Sequence, residues 1–403
     1  MGIQGLLPAV RDATEITNIS RFTGKKAGID GFVWLHRGCL SCGRELAKGL
    51  HTTKYISYFM KRIQILIDNR VRPLVVFDGN DLPAKKYTNE KRRQKRAEHN
   101  KLAEEFEKRG LKAEADFHYS KSIEITPDVL HPLLTTLKKH NIEFIVAPYE
   151  ADAQLAFLAY NHIVDIVITE DSDLLVYKCP RTVYKLEQNG NCHLIELTKI
   201  FSIKEFSGMT HEMFVECCVL SGCDYLPSIP KMGIRTAAKK MQMYHSGLAI
   251  ISSLRLEEKW DVPPNYESDF TKACLVFQQQ KIFDPSTRTI HGIYDNKTTD
   301  ITESNITNEQ AIGVAHGILN SKTYEPFDLD GFQTPSQGTP NNLTLYSIPV
   351  SHSAASEFKP HSSSQITQTL PLKRSSLFNP LIPTKRTSSS QKFIPPSLRL
   401  RKI

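Results

Sequence analysis

A chain of 403 residues, 40% of them hydrophobic, is long enough to bury a substantial core, which excludes a small domain held together by disulfides or structural metals. No apolar run approaches the roughly 20 residues of a membrane span, and the first residues lack a charged segment followed by an apolar one, so we expect an intracellular protein that binds no membrane. The formal net charge of +8 arises in residues 331–403, which carry nine Lys and Arg residues and one acid, so residues 1–330 are neutral overall and cannot attract DNA by net charge alone.

The first half of the chain alternates short apolar runs with longer stretches of helical periodicity. This alternation predicts an α/β fold built on a mainly parallel central sheet that is flanked by helices. A helix is predicted to begin at Pro148 and to carry Glu150 and Asp152 in its first turn, and residues 200–330 are predicted to be mostly helical. The predicted strands are 26–30, 73–78, 142–147 and 163–168.

Two further stretches differ from the rest in composition. Residues 82–121 carry twelve Lys and Arg residues against seven acids without strand periodicity, and composition alone predicts a solvated pair of helices there. From Gly331 onward the chain is rich in Ser, Thr, Pro, Gln and Asn, so it cannot bury enough apolar surface to offset the loss of chain entropy. We therefore predict that residues 331–403 form a disordered basic tail.

The eight cysteines favour reduced thiols over a disulfide framework, because no secretory signal precedes them. Cys39 and Cys42 have the spacing that also occurs in zinc knuckles and redox motifs. Since the sequence supplies no second pair of this spacing and no paired histidines, we interpret both residues as ordinary packed thiols.

Acidic residues recur where the predicted strands end. Because the carboxyl ends of parallel strands meet at one edge of a sheet, these acids are expected to converge in one crevice. Asp171 and Asp173 are two residues apart, which places both side chains on the same side of an extended backbone. The seven candidates are Asp30, Asp78, Glu150, Asp152, Asp171, Asp173 and Asp224.

So many carboxylates in one crevice would repel one another unless cations compensated their charge. Hard oxygen ligands without clustered His or Cys indicate Mg²⁺ or Mn²⁺. Two such ions about 4 Å apart suit phosphodiester hydrolysis, because one activates water and both stabilise charge on the transferring phosphate. The alternative is that each acid caps a helix or a turn, as we expect for Asp12 and Asp128, but that explanation does not account for a shared location.

Five short blocks carry the most specific pattern in the chain. They are MGIQGLLP at 1–8, VFDG at 76–79, APYEADAQLA at 147–156, TEDSDLL at 169–175 and LSGCDYL at 220–226. Together they resemble the flap-endonuclease/XPG family of structure-specific 5′ nucleases, in the forms found in exonuclease 1. The blocks occur in the order typical of that family and span about residues 1–300.

The resemblance implies a PIN-like 5′ nuclease core over residues 1–330. Within this core it implies an N-terminal nuclease region at 1–99 and an internal nuclease region at 138–225. It also identifies residues 82–130 as a helical arch that admits the 5′ end of a strand. Residues 212–245 resemble the helix-two-turns-helix hairpin that grips duplex phosphates, commonly with a bound K⁺ ion.

The resemblance assigns the chemistry to two sets of residues. The seven acids are implied to be ligands of two Mg²⁺ ions, some of them through water, with Mn²⁺ as a substitute. Lys85 and Arg92 correspond to the catalytic basic pair of the arch. Their spacing of about two helical turns lets both side chains face the scissile phosphate, whose charge they would stabilise in the transition state.

Contacts with DNA are implied outside the acidic crevice as well. Phe32 lies where the family has a tyrosine that stacks on a terminal base, with core packing as the alternative for Phe32 and as the expectation for Trp34. Lys231 replaces the first glycine of the helix-two-turns-helix hairpin, which bears on the geometry of the K⁺ site. The implied contact residues are Phe32, His36, Arg93, Arg96, Ser228, Lys231 and Gly233.

The activity implied by the resemblance is that of a 5′→3′ double-stranded DNA exonuclease with 5′ flap endonuclease activity, acting in the nucleus in mismatch repair, recombination and replication. The expected substrates are duplexes with 5′ ends, nicks or flaps, bound by a monomer mainly through phosphates and junction shape. One alternative is a flap endonuclease of replication, and another is a catalytically silent DNA-binding scaffold. A scaffold would be expected to have lost some of the acids, Lys85 or Arg92, and all of them are present.

The tail is either an inert linker or a segment that recruits partners. Residues 374–378, with the sequence RSSLF, loosely resemble the short box by which exonuclease 1 engages a mismatch-repair MutL-type protein, although short matches in a Ser-rich tail often arise by accident. The basic pairs Lys373-Arg374 and Lys385-Arg386 are consistent with nuclear import.

Overall fold

A seven-stranded sheet forms the centre of the molecule. Its strands are β1 (Thr14–Asn18), β2 (Lys26–Asp30), β3 (Arg72–Phe77), β4 (Glu143–Val146), β5 (Ile166–Ile168), β6 (Arg181–Tyr184) and β7 (Asn191–Glu196). They lie in the order β1-β7-β6-β5-β2-β3-β4, in which β6, β5, β2, β3 and β4 are parallel neighbours. Only β7 runs antiparallel to its neighbours β6 and β1. The predicted α/β class and the mainly parallel sheet are confirmed.

The computed structural model describes residues 2–294 and 306–327, which belong to one compact unit. The tail predicted at 331–403 lies outside the described residues. No helix among the described residues combines the length and the apolarity that crossing a lipid bilayer requires.

Helices of very different length surround the sheet. In chain order they are α1 (Leu6–Ala9), α2 (Gly31–Cys39), α3 (Gly43–Ala47), α4 (Lys54–Asp68), α5 (Lys86–Lys108), α6 (Lys112–Ser122), α7 (Pro127–Lys139), α8 (Ala151–Tyr160), α9 (Asp173–Val176), α10 (Leu197–Ile200), α11 (His211–Leu220), α12 (Ile234–Tyr244), α13 (Gly247–Arg255), α14 (Tyr266–Gln279) and α15 (Asn308–Ala315). Turns of 3₁₀ helix lie at Arg11–Ala13, Ile19–Phe22, Leu40–Cys42 and Pro83–Lys85. A separate antiparallel hairpin pairs β8 (Lys281–Asp284) with β9 (Thr289–Gly292).

The two faces of the sheet bury separate apolar layers, because successive residues of a strand point to opposite sides. In β3, Leu74 and Val76 belong to the layer that includes α8 and α11, whereas Val75 and Phe77 belong to the layer that includes α2 and α4. Burial on both faces is typical of parallel strands that are covered by helices. It makes the sheet a rigid support for the loops at the carboxyl ends of the strands.

The predicted helix start at Pro148 is wrong. Helix α8 begins at Ala151, and Glu150 is its N-cap residue. The two residues before Glu150 are held outside the helix by the segment that follows β3. There the Gly79 backbone N–H donates to the Tyr149 carbonyl at 2.6 Å, and the next N–H along the chain donates to the Pro148 carbonyl at 3.0 Å. This pairing connects the two loops that carry Asp78 and Glu150.

The strand predicted at 163–168 begins only at Ile166. The backbone N–H groups of Ile163 and Val164 donate instead to the Leu158 carbonyl at 2.8 and 3.2 Å, so these residues terminate α8. Strands β1, β6 and β7 had no prediction, because they are short and mix polar with apolar residues.

Residues 82–121 form the pair of helices that their composition predicts. Ala103 is the only buried residue of the 23 in α5. A small core of Ala103, Ala115 and Tyr119 joins α5 to α6, and the Arg44 guanidinium on α3 pairs with Glu107 and with an acid of α6, both at 2.6 Å. The pair therefore extends from the body of the protein with most of its charged surface in water.

Candidate active site

The carboxyl edge of the parallel strands gathers the acidic residues. Because β2, β3, β4 and β5 are neighbours that run in the same direction, the residues that follow them lie at the same edge of the sheet. Asp224 reaches this edge from the connection between α11 and α12. The acids at the ends of the strands are Asp30, Asp78, Glu150, Asp152, Asp171 and Asp173.

Hydrogen bonds link Asp30, at the end of β2, to the acids that follow β5. The Thr169 hydroxyl donates to Asp30 Oδ2 at 2.9 Å and accepts from the Asp171 backbone N–H, also at 2.9 Å. The Asp173 N–H then donates to Asp171 Oδ1 at 3.0 Å. On the neighbouring strand, the Ala151 N–H donates to Asp78 at 2.7 Å. These bonds fix the orientation of each carboxyl before any ligand binds.

The N-terminal segment packs directly on the acids. The Ile3 N–H donates to Asp173 Oδ1 at 3.1 Å. Gly2 has φ of 79°, and a Cβ at this position would lie 2.1 Å from Asp171 Oδ1 and 2.6 Å from the Ser172 hydroxyl oxygen. Glycine suits residue 2 best, because the backbone there is left-handed and because a side chain would displace the tips of these neighbouring side chains.

Lys85 and Arg92 both reach the carboxylates. The Lys85 ammonium contacts Glu150 Oε1 and lies 3.0 Å from Asp224 Oδ2, and the Arg92 guanidinium lies 2.9 and 3.1 Å from the two Asp224 oxygens. Lys85 lies in the 3₁₀ turn that precedes α5 rather than on α5 itself, which corrects the expected placement on one helix. The shared contact with Asp224 nevertheless brings both cations to one location.

Burial and mutual repulsion raise the pKa values of most of these carboxyls. Burial, with the charges of Asp78 and Asp171, raises the pKa of Asp30 from 3.8 to about 7. Burial raises the pKa of Asp78 from 3.8 to about 6. For Asp152 and Asp173, burial and the neighbouring Asp171 charge raise the pKa well above its ordinary value. Full ionisation of these acids would therefore place more negative charge in the crevice than it can stabilise without cations.

Asp224 and Lys85 are shifted in the opposite sense. Burial alone would raise the pKa of Asp224, but Lys85 and Arg92 outweigh it and lower that pKa. Burial alone would lower the pKa of Lys85, but Glu150 and Asp224 raise it well above its ordinary value. Both members of this pair are therefore charged at neutral pH, and the positive charge of the lysine is retained in a buried position.

The donor set of the crevice fits a hard divalent cation. Asp152 Oδ1 is buried, and no hydrogen-bond donor among the described residues reaches it. Over residues 2–294 and 306–327, no three His, Cys, Asp or Glu side chains form a group that would already hold a metal ion, and Lys85 bridges Glu150 and Asp224. Oxygen-only ligands with raised pKa values favour Mg²⁺ or Mn²⁺ over softer metals, provided that these side chains readjust when an ion enters.

Four polar residues that support the acids were missed by the sequence interpretation. Thr169 bonds Asp30, and the Tyr225 hydroxyl donates to Glu150. Tyr177 and Gln280 lie behind Tyr225 and contact it or Glu150. Thr169 and Tyr225 lie inside two of the sequence blocks, next to acids, and that adjacency was a usable signal. The sequence offers no comparable signal for Tyr177 or Gln280.

The sequence matches two family models, the XPG N-terminal domain at residues 1–99 and the XPG I-region at residues 141–224. It is 39% identical over 337 residues to Exonuclease 1 of Oryza sativa subsp. japonica, covering 81% of this chain and 40% of the rice protein. It is 30% identical over 339 residues to DNA damage-inducible protein DIN7 of Saccharomyces cerevisiae, covering 81% of this chain and 79% of that protein. The chain belongs to the exonuclease 1 group of the XPG family.

The fold of this XPG-family chain is also found in a solved structure. The catalytic core of Rad2 in complex with DNA substrate superposes with a TM-score of 0.52 at 18% identity, covering 76% of this chain and 90% of that chain. This likeness confirms the predicted 5′ nuclease fold. The chain spans 40 to 59% of the lengths of the first five curated relatives that it matches.

Two expected DNA-contact residues of this XPG-family chain lie on α2, directly after Asp30. Phe32 is half-buried and packs edge-on against Phe77, with ring centroids 6.1 Å apart, so part of its ring remains exposed beside the crevice. His36 is exposed, and partial desolvation together with Lys121 and Arg96 lowers its pKa. Phe32 thus packs against the residue that precedes Asp78, and His36 lies close enough to the helical pair to be affected by its charges.

Trp34, next to these residues, is a core residue as expected. It is only 3% exposed and packs edge-on against Phe59 at 5.8 Å, with the Arg62 guanidinium 5.2 Å from its ring centre. Cys39 and Cys42 are buried free thiols of the same layer. Burial raises the pKa of Cys39 to about 12, so it is a poor metal ligand or nucleophile, in line with the interpretation of packed thiols.

The remaining expected contacts lie on the helical pair and in the connection between α11 and α12. Arg93 pairs with Glu90 on the exposed face of α5, and Arg96 pairs with an acid of the α6–α7 connection, both at 2.8 Å. Ser228, Lys231 and Gly233 are exposed and do not contact the carboxylates. Lys231 has φ of 71°, so the backbone keeps the left-handed conformation that glycine adopts most easily.

Proposed function

We propose that this chain is a divalent-metal-dependent nuclease that degrades double-stranded DNA in the 5′→3′ direction and also cleaves 5′ flaps. The observation that carries the proposal is the crevice in which Lys85 contacts Glu150 and Asp224 and Arg92 contacts Asp224, beside the buried acids at the strand ends. Membership of the exonuclease 1 group of the XPG family supports the same activity.

The crevice contains two kinds of residue. The acids would bind metal ions, and the two basic side chains would bind phosphate. These acids would hold two Mg²⁺ ions, replaceable by Mn²⁺, which would supply activation of water and stabilisation of charge on the phosphate. Lys85 and Arg92 both contact Asp224, from which they can transfer to the scissile phosphate, whose negative charge they stabilise. The residues that would hold the ions, some through water, are Asp30, Asp78, Glu150, Asp152, Asp171, Asp173 and Asp224.

Recognition of DNA is proposed to use three surfaces around the crevice. The α5–α6 pair acts as the arch that admits a 5′ end, and Arg93 and Arg96 contact the DNA strand that passes through it. Phe32 stacks on a terminal base and His36 contacts the adjacent backbone. The connection between α11 and α12 holds duplex phosphates and a K⁺ ion through its backbone, with Ser228, Lys231 and Gly233 as contacts. Because these contacts reach phosphates rather than base edges, affinity should depend on salt and little on sequence.

The proposed cellular role is based on the proposed nuclease activity and on the sequence of the tail. A nuclease that resects a strand from a 5′ end serves mismatch repair, recombination and replication, and we propose that the protein acts in the nucleus as a monomer. Residues 374–378 are the proposed contact with a MutL-type partner, supported by their resemblance to the corresponding short box. These residues lie outside the described part of the chain.

The proposed activity is tested by product length. A duplex with a nick and a matched duplex with a 5′ flap, each labelled at the 5′ terminus, are incubated with the full chain and Mg²⁺. We expect mononucleotides or very short products from the nicked duplex and a slower release of the intact flap from the other. Duplexes of equal length that differ only in base sequence should be cleaved at rates within a few fold of one another.

Other results would identify a different function. Predominant release of the intact flap, with little attack at the nick, would favour a flap endonuclease of replication. Tight binding of both substrates without cleavage in Mg²⁺ or Mn²⁺ would refute the nuclease and favour a DNA-binding scaffold. EDTA controls in each reaction separate metal-dependent cleavage from contamination.

A further inference from the structure

A buried chain of hydrogen bonds reaches the Glu150 carboxylate from behind the crevice. The Tyr225 hydroxyl donates to Glu150 Oε2, and the hydroxyl oxygens of Tyr177 and Tyr225 are 2.8 Å apart. The Gln280 amide completes the chain when it is oriented so that both its ends are satisfied. Its nitrogen then lies 2.5 Å from the Tyr177 oxygen and 3.3 Å from Glu150 Oε2, and its oxygen accepts from the Glu150 backbone N–H at 3.2 Å.

In this orientation every donor points toward Glu150. The amide nitrogen donates to Tyr177, the Tyr177 hydroxyl donates to Tyr225, and the Tyr225 hydroxyl donates to Glu150 Oε2. The whole chain thus ends on one carboxylate oxygen. The other oxygen, Oε1, is left to face the crevice, where the Lys85 ammonium contacts it.

The chain is rigid because its members are packed as well as bonded. Tyr177 is fully buried and Gln280 is 1% exposed. The Phe277 ring lies 4.9 Å from the Tyr177 ring and 5.0 Å from the Tyr225 ring, measured between centroids.

We propose that Tyr225, Tyr177 and Gln280 are positioning residues, which hold Glu150 Oε2 so that Oε1 faces the divalent-cation site. The inference rests on the proposed function and adds residues to it that lie outside the acids and the basic pair. Hydrogen bonds that orient a metal ligand typically contribute about 10- to 100-fold to metal affinity or activity. The three residues come from separate segments, so Glu150 is coupled to α9, to the Asp224 connection and to the end of α14.

The test uses Tyr225→Phe and Gln280→Met, which remove polar atoms while keeping most of the volume. Tyr55→Phe is the matched control, because Tyr55 is 2% exposed and its hydroxyl donates to the Val129 carbonyl at 2.8 Å, remote from Glu150 in the other apolar layer. Mn²⁺ affinity of the full, DNA-free chain is measured by calorimetry, and kcat and KM are measured on a nicked duplex at several Mg²⁺ concentrations.

Both test variants should bind Mn²⁺ about 10-fold or more weakly and need correspondingly more Mg²⁺ for half-maximal rate, with KM for DNA within twofold of wild type. Tyr55→Phe should change none of these quantities. Tyr177→Phe replaces either variant if circular dichroism shows that its fold is lost, with the same expectation. Wild-type Mn²⁺ binding with unchanged affinity in the variants overturns this inference alone. A wild-type chain that neither binds Mn²⁺ nor cleaves DNA refutes the proposed function and this inference together.

Discussion

Replacing Asp30 by asparagine should stabilise the metal-free protein while it impairs metal binding. Asp30 is only 7% exposed, and it accepts hydrogen bonds from the Thr169 hydroxyl at 2.9 Å and from the Val33 N–H at 3.4 Å. The asparagine oxygen can accept from the Val33 N–H, and the NH₂ group that replaces Oδ2 can donate to the Thr169 hydroxyl oxygen, with no charge on either group. The substitution therefore removes a buried charge and keeps its partners.

The size of the effect follows from the raised pKa. A tenfold change in an ionisation constant corresponds to about 1.4 kcal/mol. The rise of the Asp30 pKa from 3.8 to about 7 means that its ionised side chain lowers the free energy of unfolding by at most about 4 kcal/mol at pH 8. Because the folded-state pKa is the higher one, the protonated acid stabilises the fold at low pH, and this stability is lost as pH rises through about 7. Between pH 6 and pH 8 the loss amounts to about 1 kcal/mol.

Urea unfolding at pH 6 and pH 8 in the presence of EDTA measures this loss. Asp30→Asn should be more stable than wild type at pH 8 and should lose less stability between the two pH values. Asp12→Asn, at an exposed acid of the first 3₁₀ turn, is the control and should behave as wild type does. If Asp30→Asn loses as much stability as wild type between pH 6 and pH 8, the charge repulsion described for the crevice is wrong.

Four further substitutions probe other parts of the molecule. Lys85→Ala and Arg92→Ala should each lower the single-turnover cleavage rate about 100-fold or more with only a few-fold loss of DNA affinity, and equal losses in both would contradict a role in the transition state. Gly2→Ala should weaken Mn²⁺ binding in calorimetry, because its Cβ would lie 2.1 Å from Asp171 Oδ1, and unchanged affinity would refute that close packing. Lys231→Gly should be at least as stable as wild type, given the φ of 71°, and should reduce the slope of log affinity against log salt by about one; an unchanged slope would remove Lys231 from the phosphate contacts.

The convergence of the acids could be predicted because it depends on a simple property of parallel sheets. Asp30 ends its strand, and Asp78 and Asp171 lie just beyond theirs. The apolar runs of these strands are visible in the sequence, and parallel neighbours present their carboxyl ends at one edge. The charged helical pair was equally visible from its composition. The part played by that pair in admitting DNA stays a prediction.

The support behind the acids could not be predicted, because it joins residues that are far apart in the sequence. Tyr177 and Gln280 are separated by 103 positions and meet only after α14 has packed against the core. The start of α8 depends likewise on the loop after β3. The Gly79 N–H in that loop donates to the Tyr149 carbonyl, which keeps Pro148 out of the helix. Local propensity at Pro148 carries no information about that partner.

The most direct test of the proposed chemistry is single-turnover release of nucleotides from a 5′-labelled nicked duplex by wild type and by Asp173→Asn. Asp173 is 2% exposed among the acids and accepts the Ile3 N–H, a bond that asparagine can keep. Wild type should release short products in Mg²⁺ and none in EDTA, and Asp173→Asn should be slower by about 100-fold or more at equal DNA affinity. Cleavage that persists in EDTA, or that Asp173→Asn leaves unchanged, would contradict metal-dependent hydrolysis in this crevice.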